Sequence, residues 1–160
     1  MATETLKFKI ELYASYWDKK PTCKIILNQH EKWANEIAGS EQKPDLIEFE
    51  HTFTEGEKYQ LVIKREGKDN SQTILNDKGD ITHDQLVHIK SIEIDDIDLG
   101  GLVYEGVYKP EYPEPWYSQQ KINGDAPPSE FKNSLHMGHN GTWTLTFESP
   151  FYMWLLENLY

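Results

Sequence analysis

Apolar residues alternate with charged ones near the start of this chain, and this pattern constrains the fold more than any other. Leu6, Phe8, Ile10 and Leu12 are separated by single charged residues. Successive side chains of a strand point to opposite faces, so a segment of this kind buries one face and exposes the other. The pattern predicts a half-buried antiparallel strand over residues 6–12.

Further β-type runs follow along the chain, separated by polar turns rich in Gly, Asn and Asp. They cover residues 22–27, 45–54, 59–65, 73–75, 85–99 and 141–147. Residues 28–39 fit either a short helix that ends at Gly39 or a strand and loop. We favour the second, because Trp33 and Ile37 are the only large anchors there. Short strands at near-regular spacing predict an all-β fold, an antiparallel β-sandwich of jelly-roll-like type.

The 160 residues suit a single domain, since about 150 residues per domain is usual. We assign residues 1–99 to the main sandwich strands. Residues 100–140 are predicted to be an extended Pro/aromatic arm and loop that cannot supply a central strand, because proline lacks a backbone donor. Residues 141–160 are predicted to be the closing strand and an apolar tail. Helical spacing in that tail predicts a short amphipathic helix, carried by Phe151, Trp154, Leu155 and Leu159.

The charge balance argues against nucleic acid and membrane partners. The chain has 27 acidic and 16 basic residues, a net charge of −11, and Arg65 is its only arginine. Phosphate backbones and anionic headgroups both require a basic surface. No apolar run approaches the roughly 20 residues of a membrane span. The polar N-terminus lacks the pattern of a secretory signal, so we predict folding in the cytoplasm.

An acidic run gives the best candidate for a metal site. Asp95, Asp96 and Asp98 lie where a strand meets a loop, and calcium prefers several carboxylate oxygens. A solvated outer strand face is the favoured alternative, because charged edges prevent strand pairing. Calcium is therefore the only cofactor that the sequence indicates.

Histidine and cysteine give weaker signals. His83, Asp84 and His88 cluster, as do His136 and His139, but a structural zinc site usually also uses cysteine. We interpret His88 as a hydrogen-bonded histidine inside the sandwich. The lone Cys23 is predicted to be a small buried side chain.

Catalysis is not predicted. The chain has no nucleophile elbow, phosphate-binding glycine loop or dinucleotide fingerprint. Carboxylates are plentiful, but the pair that a glycosidase needs is defined by its separation in the fold, which sequence spacing does not show. A glycosidase stays a third hypothesis.

Aromatic residues are concentrated after the double glycine at 100–101. They can form a contact surface for a partner or a glycan, or they can cover the open end of the sandwich as its own core. Both interpretations stay open at this point. The candidates for partner or glycan contact are Tyr104, Tyr108, Tyr112, Trp116, Tyr117, Phe151 and Trp154.

The second half of the chain resembles a family of small virion proteins of tailed bacteriophages that infect marine bacteria and cyanobacteria. The resemblance is carried by residues 92–101, 104–108, 110–116 and 141–158. It implies a non-enzymatic structural component of the virion, such as a capsid decoration or a tail- or fibre-associated protein. The implied partners are other virion proteins and further copies of this chain, and the implied location is the virion assembled in the host cytoplasm.

Residues 91–99 are also similar to the late strand of calcium-dependent carbohydrate-binding modules, which are jelly-roll sandwiches. This resemblance implies the alternative function, recognition of a host-surface glycan. Tyr108, Tyr112, Trp116 and the acidic end of the strand would then contact the sugar. The asparagine-rich ligand loop of those modules is not recognisable here.

Overall fold

The computed structural model of the protein describes residues 2–159, so the predicted boundaries at Met1 and Tyr160 lie outside the described residues. The α-helices are α1 (Trp116–Ile122) and α2 (Phe151–Leu159), and 3₁₀ helices cover Asn70–Gln72 and Gly100–Glu105. The strands in chain order are β1 (Thr3–Ser15), β2 (Thr22–Leu27), β3 (His30–Glu36), β4 (Asp45–Thr54), β5 (Lys58–Glu66), β6 (Ile74–Leu75), β7 (Ile81–His83), β8 (Leu86–Ile94), β9 (Ile97–Asp98), β10 (Val107–Pro110), β11 (Phe131–Lys132), β12 (His136–Met137) and β13 (Gly141–Glu148).

Two antiparallel sheets form the body of the molecule. The first has the order β12-β8-β1-β4, with β9 paired to β8, and the second has the order β11-β10-β13-β5-β2-β3. Their inner faces meet, since the ring centroid of Phe8 in β1 lies 6.3 Å from that of Phe147 in β13. A separate small hairpin joins β6 and β7. The predicted antiparallel β-sandwich is confirmed.

The alternation in the first strand builds the core as predicted. Leu6, Phe8, Ile10 and Leu12 are all buried, while the intervening charged side chains are not. Cys23 is buried as well, and burial raises the pKa of its thiol to about 12. The thiol is thus held protonated and acts as a small apolar side chain.

The segment after β2 is a strand rather than a helix. β3 pairs with β2 in antiparallel register, and the following Ile37 enters the core. The favoured strand interpretation of residues 28–39 is confirmed.

The arm differs from the prediction that it is extended and lies outside the sheets. β10 pairs with β13 on one side and with β11 on the other, so it lies within the second sheet. Pro110 is tolerated because it is the last residue of β10. Pro115 occupies the N-cap of α1, where a missing N–H costs little, so the prolines here precede a helix instead of excluding one.

The predicted strand 85–99 is interrupted by a tight turn. Ile94 pairs with Ile97, and Asp95 and Asp96 between them have φ values of 51° and 63°. Two positive φ values are typical of a type I′ hairpin turn, and Asp tolerates this left-handed region better than most residues. The acidic run is therefore explained in part by turn geometry.

The tail forms the predicted helix and docks on its own domain. Phe151, Trp154 and Leu155 are buried on one side of α2. The carboxylate of Glu4 accepts hydrogen bonds from the backbone N–H of Phe151 at 2.9 Å and from the hydroxyl of Ser149. Among residues 2–159, no helix is long and apolar enough to cross a membrane.

Candidate functional site

The arm closes over one end of the sandwich and leaves a cavity of about 630 Å³, which we call the arm pocket. Its walls come from the loop after β5, the β6–β7 hairpin, the arm and the loop before β13. The residues that line it are Lys68, Asp69, Asn70, Thr73, Leu75, Ile81, Glu111, Tyr112, Pro113, Trp116, His139 and Asn140.

Tyr112 is the centre of an aromatic cluster at this pocket. Its ring centroid lies 5.9 Å from that of Trp116, 5.2 Å from that of Tyr117 and 5.0 Å from that of His139. Its hydroxyl donates a hydrogen bond to the carbonyl of Pro128 at 2.5 Å. The cluster and this hydrogen bond fix the arm against the following loop.

Trp116 presents the largest exposed ring in the pocket lining. It begins α1 and is 42% exposed, and its ring packs against that of Tyr112. Tyr117 packs against Tyr112 as well, with the ammonium group of Lys121 4.2 Å from the Tyr117 ring centroid. A partly exposed indole ring that packs against another ring offers a mostly apolar platform.

Lys68 and Asp84 stiffen the opposite wall. The ammonium group of Lys68 donates hydrogen bonds to a carboxylate oxygen of Asp84 at 2.9 Å and to the carbonyl of Gly138 at 2.6 Å. The hydroxyl of Thr73 donates to the same oxygen of Asp84 at 2.8 Å. Burial opposes ionisation of this carboxyl, but the hydrogen bonds from Lys68 and Thr73 prevail and lower the pKa of Asp84.

Asn140 joins this wall to the strand that closes the fold. Its side-chain amide donates to the carbonyl of Lys68 and its side-chain oxygen accepts from the N–H of Lys68, both at 2.9 Å. The side chain of Asn140 thus bonds both backbone groups of Lys68, as a neighbouring strand would, and joins the two loops.

Arg65 lies fully buried beneath these loops. One terminal nitrogen of its guanidinium group donates to the carbonyl and the side-chain oxygen of Gln85 at 2.6 and 2.7 Å, and the other donates to the carbonyl of Met137. Its Nε has no hydrogen-bond partner among the described residues. Burial lowers the pKa of Arg65, and its hydrogen bonds join Gln85, just before β8, to Met137 in β12.

Tyr108 links the floor to His139. Its hydroxyl donates to the carbonyl of His139 at 2.5 Å and accepts from the N–H of His139 at 2.9 Å. Burial raises the pKa of Tyr108 to about 12. Burial also lowers the pKa of His139, which favours its neutral ring at pH 7.

The structure separates the aromatic candidates into three groups. Tyr112 and Trp116 line the arm pocket, and the ring of Tyr117 packs against that of Tyr112. Tyr104 is 48% exposed but lies outside that pocket lining. Tyr108, Phe151 and Trp154 are buried in the core, so their rings do not form an open contact surface. These three rings belong to the protein's own core, because β10 and α2 are part of the sandwich.

The three acidic candidates do not form a metal centre. Asp95 accepts hydrogen bonds from the N–H of Lys7 at 2.8 Å and from the hydroxyl of Tyr152 at 3.0 Å. Asp96 forms an ion pair with Lys9 at 3.3 Å, and Asp98 accepts from the N–H of Gly100. Within residues 2–159, no group of three or more His, Cys, Asp or Glu side chains is arranged to hold a metal ion.

His88 is the buried, hydrogen-bonded histidine that we predicted. Its Nε2 lies 3.0 Å from the hydroxyl of Ser15, and its Nδ1 lies 2.5 Å from Nδ1 of His136 on the paired strand. Burial, together with the neighbouring His136, lowers the pKa of His88 to about 4.

Most of the polar pocket lining was missed by the sequence analysis. Asp69, Asn70 and Glu111 lie in two segments far apart in the sequence, and His139, named above only in a weak zinc signal, lies in a third. Their only sequence signal is that they occur in or next to polar turns, which many surface loops share. The pairings that bring these turns together are long-range, so no local pattern identifies them.

The protein is, by fold and site, a β-sandwich with a partly aromatic pocket at one end. No family model matches the chain and no curated protein matches it. The resemblance to phage virion proteins therefore stays a prediction.

Two solved structures resemble the chain in shape, each with 6% identity. One is vCBM60 in complex with galactobiose, with a TM-score of 0.48 over 86% of this chain and 95% of that one. The other is vCBM60 in a selenomethionine form, from work that links two families of calcium-dependent carbohydrate-binding modules by circular permutation. Its TM-score is 0.47, over 87% of this chain and 88% of that one.

Proposed function

We propose that this protein is a non-catalytic glycan-binding module and that it binds sugar in the arm pocket. The observation that carries the proposal is the shared cavity itself. An exposed indole, a tyrosine ring and several polar side chains from neighbouring loops line one space of about 630 Å³. Small-molecule sites typically combine this volume with apolar walls and a few positioned polar groups.

The aromatic and the polar side chains of the lining match the two kinds of surface on a sugar ring. The C–H face of a pyranose is apolar and packs on the face of an aromatic ring such as Trp116. Sugar hydroxyls need donors and acceptors around the rim of the ring. The side chains of Asn70 and Glu111 line the pocket and have no hydrogen-bond partner among the described residues, so both are available to a ligand.

The charges favour a neutral glycan over an acidic one. Asp69 and Glu111 contribute two carboxylates to the lining, whereas the ammonium group of Lys68 is already engaged by Asp84. The whole chain carries a net charge of −11, which repels polyanions at long range.

The ionisation of the carboxyl groups supports binding rather than hydrolysis. A glycosidase needs a general acid whose pKa is raised so that it holds a proton near neutral pH. Hydrogen bonds from Ser71 lower the pKa of Asp69, and the pKa of Asp84 is also lowered. Asp69 lines the pocket and is therefore suited to accept hydrogen bonds as a carboxylate, while Asp84 lies outside the lining and is engaged by Lys68 and Thr73.

Affinity electrophoresis and a glycan array test the proposal. We expect the protein to bind at least one neutral glycan, and Trp116→Ala to weaken that binding about tenfold or more, which corresponds to about 1.4 kcal/mol. Tyr104→Ala is the matched control, because it removes an equally exposed ring of the same segment outside the pocket. The melting temperature should change little in both variants.

The same array in calcium chloride and in EDTA tests the calcium prediction. The pocket contacts described above are stacking and hydrogen bonds, so binding should survive EDTA. No binding to any neutral glycan, or equal effects of the two substitutions, would contradict the proposal.

A further inference from the structure

A second cavity of about 540 Å³ lies on the outer face of the second sheet, and we call it the sheet groove. It is distinct from the arm pocket, since the two sets of lining residues among those described have no member in common. The groove is lined by Gln60, Glu105, Val107, Lys109, Glu130, Thr142, Thr144, Thr146, Trp154 and Asn158.

Three threonines form a row along the floor of this groove. Thr142, Thr144 and Thr146 alternate in β13 with Trp143 and Leu145, which point into the core. Alternate residues of a strand are about 7 Å apart and face the same side. The outer face of β13 therefore presents a straight row of three side-chain hydroxyls.

Other polar groups line this row on both sides. Gln60 in β5 lies opposite Thr146 of β13, and Lys109 in β10 lies opposite Thr142 of β13. Among the described residues, neither the three hydroxyls nor the side-chain amide of Gln60 has a hydrogen-bond partner. The groove thus offers several unpaired donors and acceptors in an extended arrangement.

The groove lacks the features that bind a protein segment. Thr142 and Thr144 lie in a strand that is paired on both sides, so no strand can be added there. Among the described residues, Trp154 is the only aromatic side chain in the lining, and it is buried. Protein interfaces usually depend on exposed apolar anchors, and this lining has none of that kind.

We propose that the sheet groove is a second binding site, for an extended neutral glycan chain that runs along β13. The hydroxyl and amide groups of the groove both donate and accept hydrogen bonds, so they complement the hydroxyls of a glycan chain. Glu105 and Glu130 outnumber the single ammonium group of Lys109, so an acidic polymer is disfavoured. The proposal is independent of the arm pocket, because no side chain that lines one cavity lines the other.

Binding is measured in a Trp116→Ala background, which weakens the arm pocket about tenfold, and only binding that also depends on Thr144 is assigned to the groove. The probes are cellotetraose, xylotetraose, mannotetraose and galactotetraose, titrated by calorimetry. We expect at least one tetrasaccharide to bind, and its monosaccharide to bind at least tenfold more weakly, because a short ligand contacts fewer hydroxyls of the row.

Thr144→Val removes one hydroxyl and keeps the shape and strand preference of the side chain. We expect it to weaken tetrasaccharide binding about fivefold, and the double variant with Thr146→Val to weaken it at least tenfold. Thr52→Val, on an exposed strand position of the other sheet, is the control for binding: it removes a hydroxyl that contacts that of Thr5 at 2.9 Å, far from the groove, and should leave the affinity unchanged. Thermal melts confirm that each variant is folded.

Three outcomes would overturn the proposal. The first is that no tetrasaccharide binds in the Trp116→Ala background. The second is that Thr144→Val and Thr52→Val have the same effect on binding. The third is that a peptide library, and not the sugars, binds in a manner that depends on Thr144. Failure of the arm pocket alone would appear as glycan binding that Trp116→Ala does not change.

Discussion

Single side chains hold the arm pocket open by joining loops that are distant in sequence. Lys68 contacts Asp84 and Gly138 through its ammonium group, and Asn140 through its backbone. The side chain of Lys68 is 9% exposed, so its charge is largely removed from water and depends on Asp84. A charge in this position is costly if its partner is lost.

Asp84→Asn should therefore lower the free energy of unfolding by about 1–3 kcal/mol at pH 7. The pKa of Asp84 is lowered in the folded state, so its contribution is complete well above the ordinary value of 3.8. As the pH falls through 3.8 and then through the folded-state pKa, the contribution is lost. Urea unfolding from pH 7 to pH 2 measures this, and a constant difference between wild type and variant would contradict it.

The sequence predicts some of the individual site residues and not others. The concentration of Tyr and Trp after the double glycine correctly marks the region of the pocket, and Tyr112 and Trp116 do line it. The same rule also selects Tyr108, which is buried, because residue type alone does not distinguish an inward from an outward ring. Asp69 and Asn70 carry no local signal, since they reach the pocket only through long-range strand pairing.

Elements that depend on local alternation are the best predicted. β1, β2 and β13 follow from a period of two, which the sheet preserves in the buried faces. α1 was missed because Pro113 and Pro115 resemble helix breakers, yet proline is compatible with the first turn of a helix. The turn at Asp95 and Asp96 was missed because turn chemistry and a charged strand face use the same residue types.

α2 has two faces with different roles, and a pair of substitutions separates them. Phe151 is fully buried and its ring lies 6.1 Å from that of Trp154, whereas Met153 is 59% exposed. Phe151→Ala should lower the free energy of unfolding by about 3–5 kcal/mol, because it leaves a cavity in the core. Met153→Ala should change it by no more than about 0.5 kcal/mol.

Equilibrium unfolding in urea measures both variants. Equal losses, or a harmless Phe151→Ala, would show that the tail is not part of the core. The interpretation of Phe151 and Trp154 as partner-contact residues would then regain its basis.

The whole molecule combines a strongly acidic sandwich with two cavities, the partly aromatic arm pocket and the polar sheet groove. The net charge of −11 keeps acidic polymers away from both, and the stable sheets position side chains from distant segments around each cavity. Fold class was predictable at this scale because strand spacing is a property of the entire chain. The cavities were not, since the arm pocket joins distant loops and the sheet groove joins strands and a helix that meet only in the folded protein.

The most direct test of the central claim is a titration of the protein with its best-binding neutral oligosaccharide, followed by NMR of the tryptophan indole N–H groups. The sequence has five tryptophans, and among them Trp116 lines the arm pocket while Trp143 is buried in the core. If the glycan binds in the arm pocket, we expect a saturable shift of the Trp116 resonance, and the resonances of Trp143 and Trp33 should not move. A ligand that binds without moving the Trp116 resonance would contradict the central claim.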